Sequence, residues 1–300
     1  MSRQPKVMRF NMGRFGAASG NVEGVRSVVR RSIMEQLSIA NAKTIFHPII
    51  LGAWMYLSIA FMRLIDWLIR PNVVERPWVH FRSVITFTSV ACLFIALIDM
   101  SNRPQFVREL QRALTAPDLD DITDYYSRSP SSGFWLLRHG KRFVGILAVD
   151  AASPEKTALN DVARRNQSTS TTATIRHFYI HSPYRNRKLE QDVLLIALRS
   201  TFRSSPIVQQ IQIVDSPFAS NIRDSIRWAG FQRQRAVKSV GVFRWRYAIY
   251  TLSRARFEAQ FRQPKRQVWT NSIHTQPIAE AGCRVPLPFI ITLVYVYLCT

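Results

Sequence analysis

Residues 175–190, Ile-Arg-His-Phe-Tyr-Ile-His-Ser-Pro-Tyr-Arg-Asn-Arg-Lys-Leu-Glu, place two histidines, two tyrosines and four cations within one short stretch. His177 and His181 are candidate general bases. Tyr179 and Tyr184 are candidate proton donors. The two histidines lie four apart, which on a strand sets them about 13 Å from each other on one face, too far to share a metal ion. No metal site is expected, and the competing reading of either histidine is an ordinary strand residue. Three of the cations, Arg185, Arg187 and Lys188, sit where a strand over 173–181 gives way to an apolar-periodic helix over 188–203. Free N–H groups and the dipole of a helix N-terminus favour an anion there, and phosphate is the first candidate. A phosphate-cradling loop ordinarily carries glycines so that the backbone can approach, yet Asn186, Arg187, Lys188, Leu189 and Glu190 include none.

The elements that must position this stretch read as a mixed α/β domain. Residues 117–126 begin like a helix with acidic residues in its first turn, and Asp120, Asp121 and Asp124 suit either that dipole or an acceptor groove. Residues 134–139 and 143–150 read as a strand hairpin about Gly140-Lys141. Residues 151–172 read as a polar loop with no strand pattern, and 207–215 as a further strand. A short helix over 219–228 and two closing strands over 231–237 and 242–252 complete the order α, β, β, β, α, β, α, β, β. In the last strand Arg244-Trp-Arg-Tyr247 alternates basic and aromatic residues, as an exposed strand face or an anion-binding or membrane-binding one would.

Ahead of this domain lies a different composition. Residues 1–43 are basic and polar, without a signal-peptide pattern, and read as a tail whose residues 22–42 form either a surface helix or a solvated segment. Residues 44–62 contain no charged side chain and 83–99 are nearly as apolar, so the two read as membrane spans of a hairpin over 44–100. Arginines flanking the hairpin outnumber those in its loop, which puts both tails in the cytosol. The 300 residues carry a net charge of +22. Such a balance favours anionic partners, while the dispersed arginines and the lack of a nucleic-acid-binding signature disfavour nucleic acid. Cys92, Cys283 and Cys299 are odd in number and far apart, which argues against a disulfide framework. Residues 263–300 read as a separate tail, apolar at its end.

The order from 112 to 253, with HFYIHSPYRNRKLEQDVLLIAL, FWLLRHGKRFVGILAVD and a helix ending in Gly230-Phe231, resembles the GNAT (Gcn5-related) acyltransferases. That resemblance implies a GNAT-like mixed sheet flanked by helices over 101–262, preceded by the hairpin. It implies acetyl-CoA or another acyl-CoA as cosubstrate and an amine acceptor. Its loop pattern, Gln/Arg-x-x-Gly-x-Gly/Ala, maps onto Arg185, with Lys188 and Glu190 at the glycine positions. The cofactor-binding set it implies is the main chain near Phe178 and Ile180 with Arg185 to Glu190, and the tyrosine that often serves as its acid is Ile226 here. These substitutions degrade the pyrophosphate loop. Active N-acyltransferase and pseudoenzyme both remain open. The layout, with His47-Pro48 opening the first span, is also similar to a fungal endoplasmic-reticulum packaging-chaperone family for a phosphate transporter. That similarity implies an integral protein of that membrane, with membrane-protein clients beside the lipid bilayer.

Overall fold

The computed structural model describes residues 9–14, 22–69, 76–140, 142–152, 169–185, 187–261 and 273–274. The chain forms two compact units. One comprises Met1–Gln36, Phe106–Val240 and Arg244–Pro277, the other Leu37–Gln105, Gly241–Phe243 and Ile278–Thr300.

The first unit is a mixed sheet flanked by helices. Its strands are β1 (Arg9–Arg14), β2 (Gly133–His139), β3 (Arg142–Ala152), β4 (Thr169–Ile180), β5 (Gln210–Asp215), β6 (Gln232–Val240), β7 (Trp245–Ser253) and the two-residue β8 (Ile273–His274). They lie in the order β6-β7-β5-β4-β3-β2-β1-β8. Only the β4–β5 pairing is parallel among these ladders, because the helix α5 (Arg187–Ser204) crosses over between the two strands. Apolar residues of α5 recur at helical spacing, with Leu189, Val193, Leu194, Ala197 and Leu198 all buried. They pack on Leu147, Val149, Ile175 and Ile211 of the sheet to make the main core. Helix α6 (Ser220–Trp228) ends at Gly230, whose φ of +85° is the left-handed geometry that stops a helix. Helix α7 (Arg254–Phe261) follows β7.

Several expectations shift. The mixed α/β class holds, but the expected tail over 1–43 contains a strand and a helix. Strand β1 pairs antiparallel with β2, and the first part of helix α1 (Val22–Ile45) belongs to the same unit. Val25, Val28, Val29 and Ile33 of α1 are buried, so its apolar stripe faces protein, while Arg30 and Arg31 are exposed. The domain therefore begins before the apolar pair and resumes after it, rather than starting at 101. The polar segment expected as loop over 151–172 is strand from Thr169 onward, as β-branched threonines allow. Helix α4 (Ile122–Ser127) starts later than expected, with Asp121 as its N-cap accepting from the Asp124 N–H. Residues 153–168, Asn186 and nearly all of 263–300 lie outside the described residues.

The second unit holds α2 (Pro48–Ile69), the end of α1 and most of α3 (Arg76–Leu114). The stretches Pro48–Leu68 and Ser83–Leu114 have apolar windows of mean hydropathy 1.7 and 2.0, long enough to cross a membrane. They bury little of themselves: Ile49, Tyr56, Trp67 and Leu93 are all more than half exposed. Trp54 bridges the pair, its indole N–H donating to the Phe87 carbonyl at 3.2 Å.

A fragment of 101–262 lacks β1 and α1 and so loses the burial of Val25, Val28, Val29 and Ile33, each worth about 1.5–3 kcal/mol. It is expected to unfold without a cooperative transition by circular dichroism, whereas 1–36 joined by a short linker to 106–277 should melt cooperatively. Equal melting of the two would make α1 dispensable to the domain.

Candidate active site

The site is created by a fault in strand pairing. β4 pairs with β5 from Thr172–Gln210 to Ile175–Ile213 and no further, although β4 runs on to Ile180 and β5 to Asp215. On its other side β4 pairs His177 with Ala148 and Ile175 with Val149, leaving Arg176 as an extra residue. Such a bulge reverses the alternation of side chains. Before it, Ala173 and Ile175 face the α5 core; after it, Phe178 and Ile180 do, and His177 and Tyr179 turn to the opposite face. The two strands part at this point. A cavity of about 240 Å³ lies there, lined among others by Ser32, His177, Phe178, Tyr179, Ile213 and Tyr247. It falls below the range of about 300–1,000 Å³ that holds whole drug-sized ligands, so it suits a slender arm.

His177 is held by a carboxylate. Its Nε2 lies 2.9 Å from Asp118 Oδ2, which also accepts from the Tyr126 hydroxyl at 3.1 Å. Asp118 is 2% exposed, and its other oxygen has no hydrogen-bond partner among the described residues. Burial alone would raise its pKa, but the bonds from His177 and Tyr126 and the nearby Arg176 outweigh this and hold it below the ordinary value. Beside this group, Asp150 Oδ2 accepts from the Tyr125 hydroxyl and from Arg176 Nε, both at 2.9 Å.

The basic loop is differently committed. Arg185 is paired with Glu35 of α1 through both guanidinium nitrogens, with Nη2 at 2.8 Å from Oε2, and its Nε donates to the Ile180 carbonyl. The Tyr179 hydroxyl donates to the same Glu35 oxygen at 2.8 Å. Burial first, then the Glu35 carboxylate, push the Tyr179 phenol above its ordinary pKa, which makes it a weaker acid. Glu190 does not face a ligand. It is 1% exposed and accepts from Asn221 Nδ2 at 2.8 Å and from the Ser225 hydroxyl at 3.3 Å on α6. A glycine at this position would strand those donors without opening a cradle. Leu189 is core, Lys188 is exposed on the first turn of α5, and Arg187 begins that helix. Tyr184 closes a 3-10 turn, its ring 5.5 Å from His139 and 6.1 Å from His181. Burial, with Arg31 nearby, pulls His181 below its ordinary pKa. Ile226 is wholly buried.

The structure thus joins His177 to Asp118 and Tyr179 to Arg185. Asp118 and Glu35 were not singled out in the sequence. Each meets its partner across a long separation, and nothing in the local pattern marks either.

No family model and no curated protein matches the chain. Among solved structures, an aminoglycoside acetyltransferase, AAC(6')-Ib, in complex with coenzyme A is similar at 17% identity and a TM-score of 0.32, covering 45% of this chain and 72% of that one. A GNAT-family acetyltransferase from Streptococcus pneumoniae gives 13% and 0.35, with 47% and 77% covered. One from Staphylococcus aureus gives 14% and 0.33, with 46% and 76% covered. At these values the likeness assigns neither family nor activity to this chain.

Two outcomes follow from this geometry. Freeing Arg185 by Glu35→Gln should raise the affinity of this loop for inorganic pyrophosphate roughly tenfold, about 1.4 kcal/mol, by isothermal calorimetry. An unchanged Kd would remove Arg185 from the binding surface. Separately, burial raises the Glu190 pKa in the folded state despite its bonds to Asn221 and Ser225. The folded protein then keeps a proton that the unfolded chain has released, so stability falls as pH rises from the ordinary glutamate range through the raised value. Glu190→Gln should flatten that fall, gaining in melting temperature relative to the parent between acid and neutral pH. A pH-independent difference would show that Glu190 titrates ordinarily.

Proposed function

We propose that this protein is a membrane-anchored, acyl-CoA-dependent N-acyltransferase, with α2 and α3 as the anchor and the β4–β5 cleft as the active site. The observation that carries the reading is the end of the β4–β5 ladder at Ile175–Ile213, with a narrow cavity where it ends and His177 on its wall. Backbone groups of β4 beyond Ile175 are free of β5 and could bond the amides of a pantetheine arm, next to Phe178 and Ile180. The base is His177. Its Nε2–H is directed at the Asp118 carboxylate, which leaves Nδ1 as the nitrogen able to take the one proton that a neutral amine loses as it attacks. The amine nitrogen then bonds to the thioester carbonyl carbon, the C–S bond breaks, and coenzyme A departs as a thiolate. With a thiol pKa near 8.5, that leaving group does not depend on an enzyme acid, which fits both Ile226 and the engaged Tyr179. Both tails are proposed to be cytosolic; Asn166-Gln-Ser168 has the Asn-x-Ser pattern that is glycosylated in a lumen, and it should then remain unglycosylated, as mobility before and after glycosidase would report.

A second reading has its own observation. Glu35 already holds Arg185, and Glu190 is turned inward, so the loop offers little to a pyrophosphate. On this reading the protein is a catalytically inactive adaptor or chaperone in the endoplasmic-reticulum membrane, binding membrane-protein clients through its hairpin.

Millimolar acetyl-CoA should raise the melting temperature of the full chain in detergent if the site binds the thioester, since a ligand bound only by the folded state stabilises it. No rise at that concentration would leave the adaptor. Asp118→Asn should keep coenzyme binding and lower turnover by a factor of about 10² or more. Unchanged turnover would dismiss His177 as the base.

A further inference from the structure

The turn joining β6 and β7, Gly241–Phe243, belongs to the second unit although its flanking strands belong to the first. The Gly241 N–H donates to Gln105 Oε1 at 2.8 Å and the Val242 N–H to Asn102 Oδ1 at 3.3 Å, both on α3. The Phe243 ring stacks on His47, the residue directly before α2, with centroids 3.9 Å apart and planes at 18°. Asn102 also donates to Asn41 at 2.9 Å, and Asn41 donates to Asp99 at 2.8 Å. Arg103 completes the group, its Nε 2.7 Å from Asp99 Oδ2. This polar layer marks one end of both apolar helices. Ile49 on α2 and Leu97 on α3, just beyond it, are 69% and 51% exposed.

If α2 and α3 cross a bilayer, this is the depth at which hydrocarbon gives way to headgroups. Val242 is 51% exposed within the turn. Arg244 and Arg246 follow it, exposed and with no acidic partner among the described residues. Arg244 even adopts a φ of +49°, a conformation that glycine accepts without strain and arginine does not.

We infer that the segment 241–246 is an interfacial anchor in which Arg244 and Arg246 bind the phosphates of anionic phospholipids while Val242 dips towards the acyl boundary. The pattern of an apolar tip followed by unpaired guanidinium groups suits that layer, where lipid phosphate supplies the counter-charge. This rests on the membrane-crossing reading of α2 and α3 and is independent of the chemistry in the β4–β5 cleft.

The test uses the full chain in lipid nanodiscs, with Cys92, Cys283 and Cys299 changed to serine and a nitroxide attached at Val242→Cys or Leu57→Cys. Collision with oxygen reports hydrocarbon and collision with a water-soluble nickel chelate reports water. The label at 57 should favour oxygen. The label at 242 should lose nickel access by roughly twofold when phosphatidylserine is added to phosphatidylcholine, and Arg244→Gln with Arg246→Gln should abolish the change. If the label at 57 is buried but that at 242 ignores phosphatidylserine, the anchor is wrong and the hairpin stands. Nickel access at 57 would overturn the membrane-crossing reading itself. A lipid effect that survives the double glutamine change would overturn the role of the arginines.

Discussion

One extra residue in β4 governs the candidate site. A strand paired on both sides cannot reverse its faces without losing register, and the bulge at Arg176 does so where the parallel ladder to β5 ends. Upstream, Ala173 and Ile175 are fixed in the core by α5. Downstream, Phe178 and Ile180 continue that core while His177 and Tyr179 are delivered to the other side. The cleft and the placement of His177 therefore have a single cause. Without the bulge, strict alternation from Ile175 would carry His177 into the apolar core, where a histidine bonded to a carboxylate would be costly.

At the end of β4, on the face that carries His177, the site is bounded by charge. Arg185, Tyr179 and Glu35 form a partly buried group in which the carboxylate receives the hydroxyl and both guanidinium nitrogens. Removing any one member would leave the others desolvated and underpaired, so the group is stabilising mainly as a set. It also sets a competition. A phosphate approaching Arg185 meets a guanidinium whose charge is already matched, and it must displace an intramolecular carboxylate that pays no association entropy.

The second unit obeys a different constraint. Its long helices leave large apolar side chains uncovered, yet their ends at the polar layer are densely hydrogen-bonded, with Asn102 and Thr44 fully buried. In water the first property would be a liability. In a bilayer it is the requirement, and the polar layer satisfies groups that lipid could not.

Residue types and periodicity determined much of this protein. The two apolar helices, the 3.6-residue stripe of α5, the strand hairpin of β2 and β3, and the closing α6 with Gly230 were legible because each is a local pattern whose period matches its element. What only the tertiary structure decided were relations across the chain: β1 and α1 as parts of the sheet domain, Asp118 on His177, Glu35 on Arg185, and Glu190 turned to α6. A bulge has no period, and a carboxylate looks alike in sequence whether it caps a helix, meets solvent or holds a histidine 59 residues away. Chemistry of this kind is fixed by where the strands part, and that is settled by pairing and packing across the chain rather than by any local run of residues.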